Sequence, residues 1–364
     1  MTAIETPAGG SILGTRVQRL EDPEFLTRGA TYTEDLTDER LAGALRLTLV
    51  RSPIAHARIG AVDLSAARRA PGFVAAFTVA DLTGVPEQKP MVSGYPAQMN
   101  QPLLARGTVR YVGEPVVAVL TDDRYAGEDV AELVEVDYEP LPPVISPVEA
   151  LAGETLLFPD VGSNICHRKD AQPAETDIFA DCEVVVSREI VNQRVAVAPL
   201  EVRAAAAVWG SAGGDPADED RLTIWVPNQG AQGTQSRLAA MLGLPKQQIR
   251  VITPAVGGAF GGKFGADTEH ALVGWLARAL NRPVTWVETR SENMVGMTHG
   301  RGQLQTITIG GDRSGRVRAY RLQVLQDAGA YPKFGALLPT LTLLMAPAVY
   351  DIERLETSYV SVVT

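Results

Sequence analysis

LTIWVPNQGAQGTQSRLAAMLGLPKQQIRVITPAVGGAFGGKFGADTEHALVGWLARALNRPVTWV, Leu222 to Val287, decides how the chain is read. Leu222–Val226 reads as a strand and Pro227–Gly233 as a turn-rich loop. Thr234–Leu242 follows as a helix, stopped by Gly243 and Pro245. Ile249–Thr253 is again a strand, Pro254–Gly265 a glycine-rich loop, Asp267–Leu280 a helix and Val284–Val287 a third strand. Short connections join a strand–helix–strand–helix–strand series. If its strands run parallel, both loops leave one edge of the sheet, where such units bind ligands.

Within that series, VGGAFGGKF (Val256–Phe264) is the densest signal. Glycines at 257, 258, 261 and 262 permit positive φ and close approach of the backbone to another group. The helix behind them turns its positive end toward the loop. Gly257–Lys263 satisfies GxxxxGK, most of a phosphate-binding P-loop, but the next position is Phe264, where that motif needs a hydroxyl for Mg²⁺. A nucleotide triphosphatase is therefore the weaker reading. A plain tight turn remains open from the residues alone, and Phe260 tilts the balance toward backbone held against a flat ligand, with the ring as a wall.

Working outward, Pro115–Leu120 is a β-branched strand. Asp122 and Asp123 offer a cap to a helix Arg124–Val134, and Val134–Tyr138 returns as a strand. The prolines of Glu139-Pro-Leu-Pro-Pro-Val end this unit, which places a domain boundary near 140–155. Leu41–Val50, Ile59–Leu64 and Gly72–Val79 read as strands, with a short helix Leu64–Arg69 between the last two; residues 1–25 read as an extended arm. Beyond a loop running to Asp181, Glu183–Val191 and Val202–Trp209 read as strands, with Gly-rich acidic filler at 210–220. Ala336–Tyr350, broken by Pro339 and Pro347, reads as buried strand or loop. Leu355–Val363 is a terminal strand whose abrupt end hints at an incomplete polypeptide.

The 364 residues exceed what one core usually serves, so two domains are expected. Net charge is −10 with scattered basic residues, which argues against nucleic acid. No apolar stretch is long enough to span a membrane, and the start has no secretory signal pattern. Two cysteines, Cys166 and Cys182, without CxxC spacing speak against a disulfide scaffold or an iron–sulfur cluster here and fit a cytoplasmic setting. His56, His167, His270 and His299 are isolated, without metal-ligand spacing, and read as surface or packing residues. Glu201 and Arg203 in PLEVR read as a structural pair.

VGGAFGGK resembles the GGGFGGK loop of the xanthine dehydrogenase, aldehyde oxidase and carbon monoxide dehydrogenase family of molybdenum hydroxylases. WVPNQGAQGTQSRLAAMLGLP resembles that family's glutamine loop and following helix. RYVGEPVVAVLTDDRYAGEDVAELVEVDYEPLPPV resembles the end of its α/β hammerhead domain. RVQRLEDPEFLTRGATYTEDL resembles the start of carbon monoxide dehydrogenase type large subunits, and NQRVAVAPLEVRAAAAVW and DAGAYPKFG follow in the family's order.

The resemblance implies an α+β fold: an α/β hammerhead domain at 26–145, then the first molybdopterin-binding domain at 155–364, incomplete at its carboxyl end. It implies a molybdenum–molybdopterin cofactor in the cytosine dinucleotide form, its metal held by pterin dithiolene sulfurs rather than by side chains. Gln229, Gly258, Ala259, Phe260 and Gly261 would face that cofactor, with the Gln229 amide at the apical oxo ligand. Phe260 and Phe264 would line the substrate pocket. Purine-oxidising relatives carry an acid where Phe264 stands, so the resemblance favours a smaller or more apolar substrate. The implied reaction is hydroxylation with oxygen from water, or carbon monoxide oxidation. The general base would lie in the other half of the subunit, so no catalytic residue is assigned here and the chain alone would be inactive. An iron–sulfur small subunit, an FAD-binding medium subunit and the carboxyl-terminal half would be partners in a dimer of heterotrimers. The alternative is a non-catalytic fragment or split-subunit assembly piece.

Overall fold

The computed structural model describes residues 19–172, 176–210 and 220–364. Its largest sheet has seven strands in the order Ile249–Ile252, Leu222–Trp225, Ala204–Trp209, Val284–Val287, Leu45–Arg51, Pro115–Thr121 and Phe73–Phe77. Leu222–Trp225 and Ile249–Ile252 pair in parallel, Leu222 beside Ile249. Val284–Val287 does not adjoin them. Ala204–Trp209 lies between, antiparallel to both neighbours. Its Ala-rich sequence is buried rather than alternating, as expected of a strand covered on both faces. Being antiparallel, it enters the sheet at the edge where the parallel strands end. PLEVR therefore arrives beside both loops.

The sheet also crosses the boundary read from the prolines, because Leu45 pairs with Val284 in parallel. One apolar cluster joins Leu45, Leu47 and Leu120 to Ile224, Leu272, Leu276 and Trp286. The helices Ala231–Leu242 and Thr268–Leu280 bury Leu238, Met241, Leu272 and Leu276 against this core. Burying each such side chain contributes about 1.5–3 kcal/mol.

A second sheet runs Ile165–Lys169, Arg354–Val362, Val317–Asp327, Gly300–Gly311, Val184–Val195, and a third joins Thr108–Val109, Ala57–Asp63 and Glu135–Pro140.

Several expectations change. Residues 1–18 and most of the 210–220 filler lie outside the described residues, but Asp22–Thr27 is helical, with Pro23 in its first turn, rather than extended. The loop through Asp181 contains the strand Ile165–Lys169. Leu64–Arg69 reduces to a 3-10 turn, Ala67–Arg69. Asp123 accepts from the Tyr125 amide in a turn before the helix Ala126–Ala131, rather than capping a helix at Arg124. The strand Glu135–Pro140 runs through the first proline. Ala336–Tyr350 is neither strand nor buried loop: a 3-10 turn Phe334–Leu337 leads into the helix Leu338–Leu344, which exposes Leu341 and Leu344. Pro339 sits in that helix's first turn, where its missing N–H removes no bond.

Candidate functional site

The two loops of the deciding stretch meet. The Gly261 backbone N–H donates to Gln229 Oε1 at 3.0 Å, and the Gln229 backbone N–H donates to the Lys263 carbonyl at 3.0 Å. Because Gly261 N–H can only donate, the glutamine's oxygen must face it, which leaves Nε2 as a donor pointing elsewhere. Gly261 has φ +89° and nothing within 4 Å of where a Cβ would stand, so its face is open. Gly258 is left-handed as well, at φ +95°, and Phe260 holds φ +51°, a conformation uncommon for a residue with a Cβ. A turn closes the loop, Gly262 N donating to Ala259 O at 2.8 Å. Phe260 and Phe264 are 74% and 61% exposed, so neither is spent on the core.

Glu201 fixes the loop from behind. Its Oε2 accepts from Gly257 N and from Lys263 Nζ, each at 2.8 Å, while its own amide donates to the Gly257 carbonyl at 3.0 Å. Burial lowers the Lys263 pKa from its ordinary value and the Glu201 carboxylate opposes the shift. This also weighs against the P-loop. The lysine that would reach phosphates is 3% exposed and bound to a carboxylate, and the next helix starts only at Thr268.

Glu201 and Arg203 do not pair with each other. Two residues along, the Arg203 guanidinium turns into the protein and holds three carboxylates. It meets Glu288 Oε2 at 2.7 Å, Asp267 Oδ2 at 3.1 Å and Glu269 Oε1 at 3.1 Å, with Arg203 1% exposed. Arg51 adds contacts to Glu269 and Glu292, and Lys333 one to Asp267. Burial raises the Asp267 and Glu269 carboxyls, but Lys333 and Arg203 beside Asp267, and Arg203 and Arg51 beside Glu269, outweigh it and hold both below the ordinary range. Sequence reading missed this network. Its signal was the charged residues placed inside apolar runs, Glu269 in TEHALV and Glu288 after VTWV.

A cavity of about 330 Å³ lies behind the glycine loop, lined among others by Val197, Met297, Tyr111 and Tyr331. A Cβ added at Gly262 would stand 2.5 Å from Val197 Cγ2 and 2.8 Å from Met297 Sδ, so the loop's back is pressed onto the cavity wall. Beside the cavity, buried Glu114 accepts from Tyr331 OH and from the Arg110 amide, each at 2.6 Å. Burial pushes Glu114 up from 4.5 to about 7 against those two donors. A carboxyl raised in the folded state contributes most below pH 4.5, and that contribution is lost as pH rises through about 7. Glu114→Gln, which cannot ionise, should therefore remove roughly 1–3 kcal/mol of the fall in stability across that window, seen as a flatter melting-temperature profile. An unchanged pH profile in thermal denaturation would contradict this.

The histidines serve locally. His270 Nδ1 accepts from Asp267 N at 2.9 Å at a helix start, His56 Nδ1 meets Pro142 O, and His167 Nδ1 meets Tyr359 OH. His299 Nδ1 meets the Gly300 carbonyl at the cavity wall. Among the described residues, no group of three or more His, Cys, Asp or Glu side chains is placed to hold a metal ion. No described helix is long and apolar enough to cross a membrane.

Comparison with known proteins places this geometry. Residues 28–142 match the family profile "Aldehyde oxidase and xanthine dehydrogenase, a/b hammerhead domain", and residues 157–364 match "Molybdopterin cofactor-binding domain". The chain belongs to the molybdenum hydroxylase large-subunit family, of xanthine dehydrogenase and carbon monoxide dehydrogenase type. It is 35% identical over 98% of its length to the nicotine 6-hydroxylase large subunit of Paenarthrobacter nicotinovorans, covering 44% of that protein. It is 32% identical over 88% of its length to the carbon monoxide dehydrogenase large chain of Afipia carboxidovorans, covering 40%. The structure of quinoline 2-oxidoreductase from Pseudomonas putida 86 superposes with a TM-score of 0.86 at 32% identity, over 98% of this chain and 45% of that one. The chain thus spans less than half the length of these relatives.

Proposed function

We propose that this chain supplies one wall of a molybdenum–molybdopterin site in a substrate-oxidising large subunit. Gln229, Gly258, Ala259, Phe260 and Gly261 face the cofactor, and Phe260 and Phe264 face the substrate. The Gln229–Gly261 contact carries the reading. By accepting at Oε1, the glutamine is locked to present Nε2, a neutral donor that neither adds charge nor competes as a metal ligand. The open face at Gly261 fits a large planar group lying against backbone, which a Cβ there would obstruct.

When bound, the cofactor supplies the two-electron oxidation, of a C–H group with oxygen from water or of carbon monoxide. This chain's residues hold and orient: Glu201 and Lys263 brace the loop, and Phe260 and Phe264 keep water from the substrate side. The general base comes from the remaining length of such a subunit. Phe264 offers no hydrogen bond to a polar heterocycle, which supports a small or apolar substrate over a purine. The cytosine dinucleotide form of the cofactor, a cytoplasmic dimer of heterotrimers with iron–sulfur and FAD subunits, and the domain division 26–145 and 155–364 belong to the same proposal.

Gln229→Ala in the intact enzyme tests it. The lost hydrogen bond is exposed, so stability should fall by only about 0.5–1.5 kcal/mol. Molybdenum content and activity should fall severalfold. Gln229→Glu, which still accepts from Gly261 but cannot donate, should share the functional loss. Full metal and full activity in both variants would refute the assignment.

A further inference from the structure

Glu114 ties together two distant parts of the chain. It leads into the strand Pro115–Thr121, whereas its partner Tyr331 follows the strand Val317–Asp327, 217 residues further on. Tyr331 OH donates to Oε1 and the Arg110 backbone N–H to Oε2, each at 2.6 Å. Phe158 and Tyr111 hold the Tyr331 ring by edge contacts, with centroids 5.7 and 6.3 Å away. Lys333 then reaches Asp267 Oδ1 at 3.3 Å, and Asp267 starts the helix that follows the glycine loop. A run of contacts therefore leads from Glu114 through the Tyr331–Lys333 turn to the end of that loop. Glu114 and Tyr331 are both buried, so their bond does not depend on what covers the outer surface.

The direction of this bond depends on the charge of the carboxyl. The Arg110 N–H can only donate, so Oε2 must stay an acceptor and an added proton can sit only on Oε1. There it would donate to the Tyr331 oxygen, whose own hydrogen then needs another acceptor. The other group bonded to that oxygen, Arg110 Nη1 at 3.4 Å, is itself a donor. Burial keeps the hydrogen on Tyr331, whose pKa stands well above its ordinary value, and pushes Glu114 up to about 7, so both forms of the carboxyl occur near neutrality. The other titratable groups facing Glu114 are Arg110 and Tyr111 of its own turn and Tyr138 of the strand Glu135–Pro140. Arg51, Arg203 and Glu269 act on Tyr111 from beyond.

We propose that Glu114 is a positioning residue: as a carboxylate it clasps Tyr331 and seats the Tyr331–Lys333 turn for oxidation, and when protonated it releases that turn. The effect on oxidation rests on the cofactor reading above; the clasp itself does not. Glu114 acts through Tyr331 and takes no part in the oxidation.

The test compares the intact wild-type enzyme with Glu114→Gln, Tyr331→Phe and the double variant. Glutamine must turn its oxygen to the Arg110 N–H and its NH2 to Tyr331, which copies the protonated carboxyl. At about pH 8.5, amide hydrogen exchange across residues 328–337 should run about tenfold faster in each single variant than in wild type. The double variant should be no faster than Tyr331→Phe, because both changes remove one bond. Wild type at about pH 6, corrected for the intrinsic rate, should approach Glu114→Gln, whose corrected exchange should not respond to pH. Glu114→Gln should melt no lower than wild type at the higher pH, which separates the clasp from lost packing. Turnover of whichever of quinoline, nicotine and benzaldehyde the wild type oxidises should fall severalfold in the variants at that pH. Wild-type exchange in Glu114→Gln, additive effects in the double variant, or a pH response that survives in Glu114→Gln would overturn the clasp. Exchange as expected with full turnover in every variant would refute the link to oxidation. The expected exchange in a wild-type enzyme that carries no molybdenum would leave the clasp standing and refute the cofactor reading instead.

Discussion

Arg203→Met should destabilise the folded protein by about 3–5 kcal/mol, the cost of leaving buried charge without its partner. The guanidinium spends its N–H groups on Glu288, Glu269 and Asp267, with Arg203 1% exposed. Without it, Glu288 keeps Asn293 and the backbone amide of residue 203, Glu269 keeps Arg51 at 3.4 Å and Asp267 keeps Lys333 at 3.3 Å. None of these replaces a forked cation held among three carboxylates. Arg203→Lys preserves charge but not the fork, and should lose less. The pH response separates this network from simple packing. Carboxyls held below their ordinary 3.8 and 4.5 contribute stability above those values and lose it as pH falls through the folded values. Acid should therefore destabilise the wild type more steeply than Arg203→Met. A variant melting within a degree or two of wild type, with the same acid profile, would contradict the role assigned to Arg203.

Gly262→Val should break the site without touching any residue that faces the cofactor. Its side chain would begin 2.5 Å from Val197 Cγ2 and 2.8 Å from Met297 Sδ, so the loop must lift away from the cavity wall. Overpacking of this kind costs about 1–3 kcal/mol. Lifting the loop also displaces the adjoining Gly261 amide from Gln229 and Lys263 from Glu201. Molybdenum content of the intact enzyme is expected to drop at least about tenfold, a loss of roughly 1.4 kcal/mol or more in cofactor binding. Gly261→Ala is the control. No protein atom crowds a Cβ there, so the fold is strained only through the φ of +89° and stability should fall less than in Gly262→Val, while metal should still be lost because the Cβ occupies the face the cofactor needs. Equal metal loading in wild type and Gly262→Val would show that the loop's seating does not matter.

The fold was legible where pattern is local. Leu222–Val287 reads directly because helix and strand periods alternate over short connections, and Val284–Val287 comes out residue for residue. Sheet order is not local. Nothing in AAAAVW says that it inserts between Leu222–Trp225 and Val284–Val287, or that Leu45 pairs with Val284 across the proline-rich boundary. The same limit hid the partners of PLEVR. Glu201 and Arg203 stand two residues apart, yet one braces the glycine loop and the other sits among acids from a helix start and a strand end. The hairpin Gly300–Gly311 and Val317–Asp327 carried a visible period of two in QTITI and a GDRSG turn, and could have been read. Ala336–Tyr350 misled because its prolines suggest breaks, whereas Pro339 opens a helix. From the residues alone only the glycine loop and Phe260 stand out; Gln229 and the pocket role of Phe264 come from the family resemblance. Phe334 lies within a quoted motif, and nothing local in the sequence says that its ring stands beside Phe264.

The central claim, that the Gln229 loop and the glycine loop together face molybdenum, is tested most directly by anomalous diffraction at the molybdenum absorption edge from crystals of the intact enzyme. The account predicts one peak for each copy of this chain, in front of the Gln229 amide nitrogen and against the open face of Gly261. A peak bordered by neither loop, or none in an enzyme that folds normally and is made by cells loading other molybdenum enzymes, would contradict it.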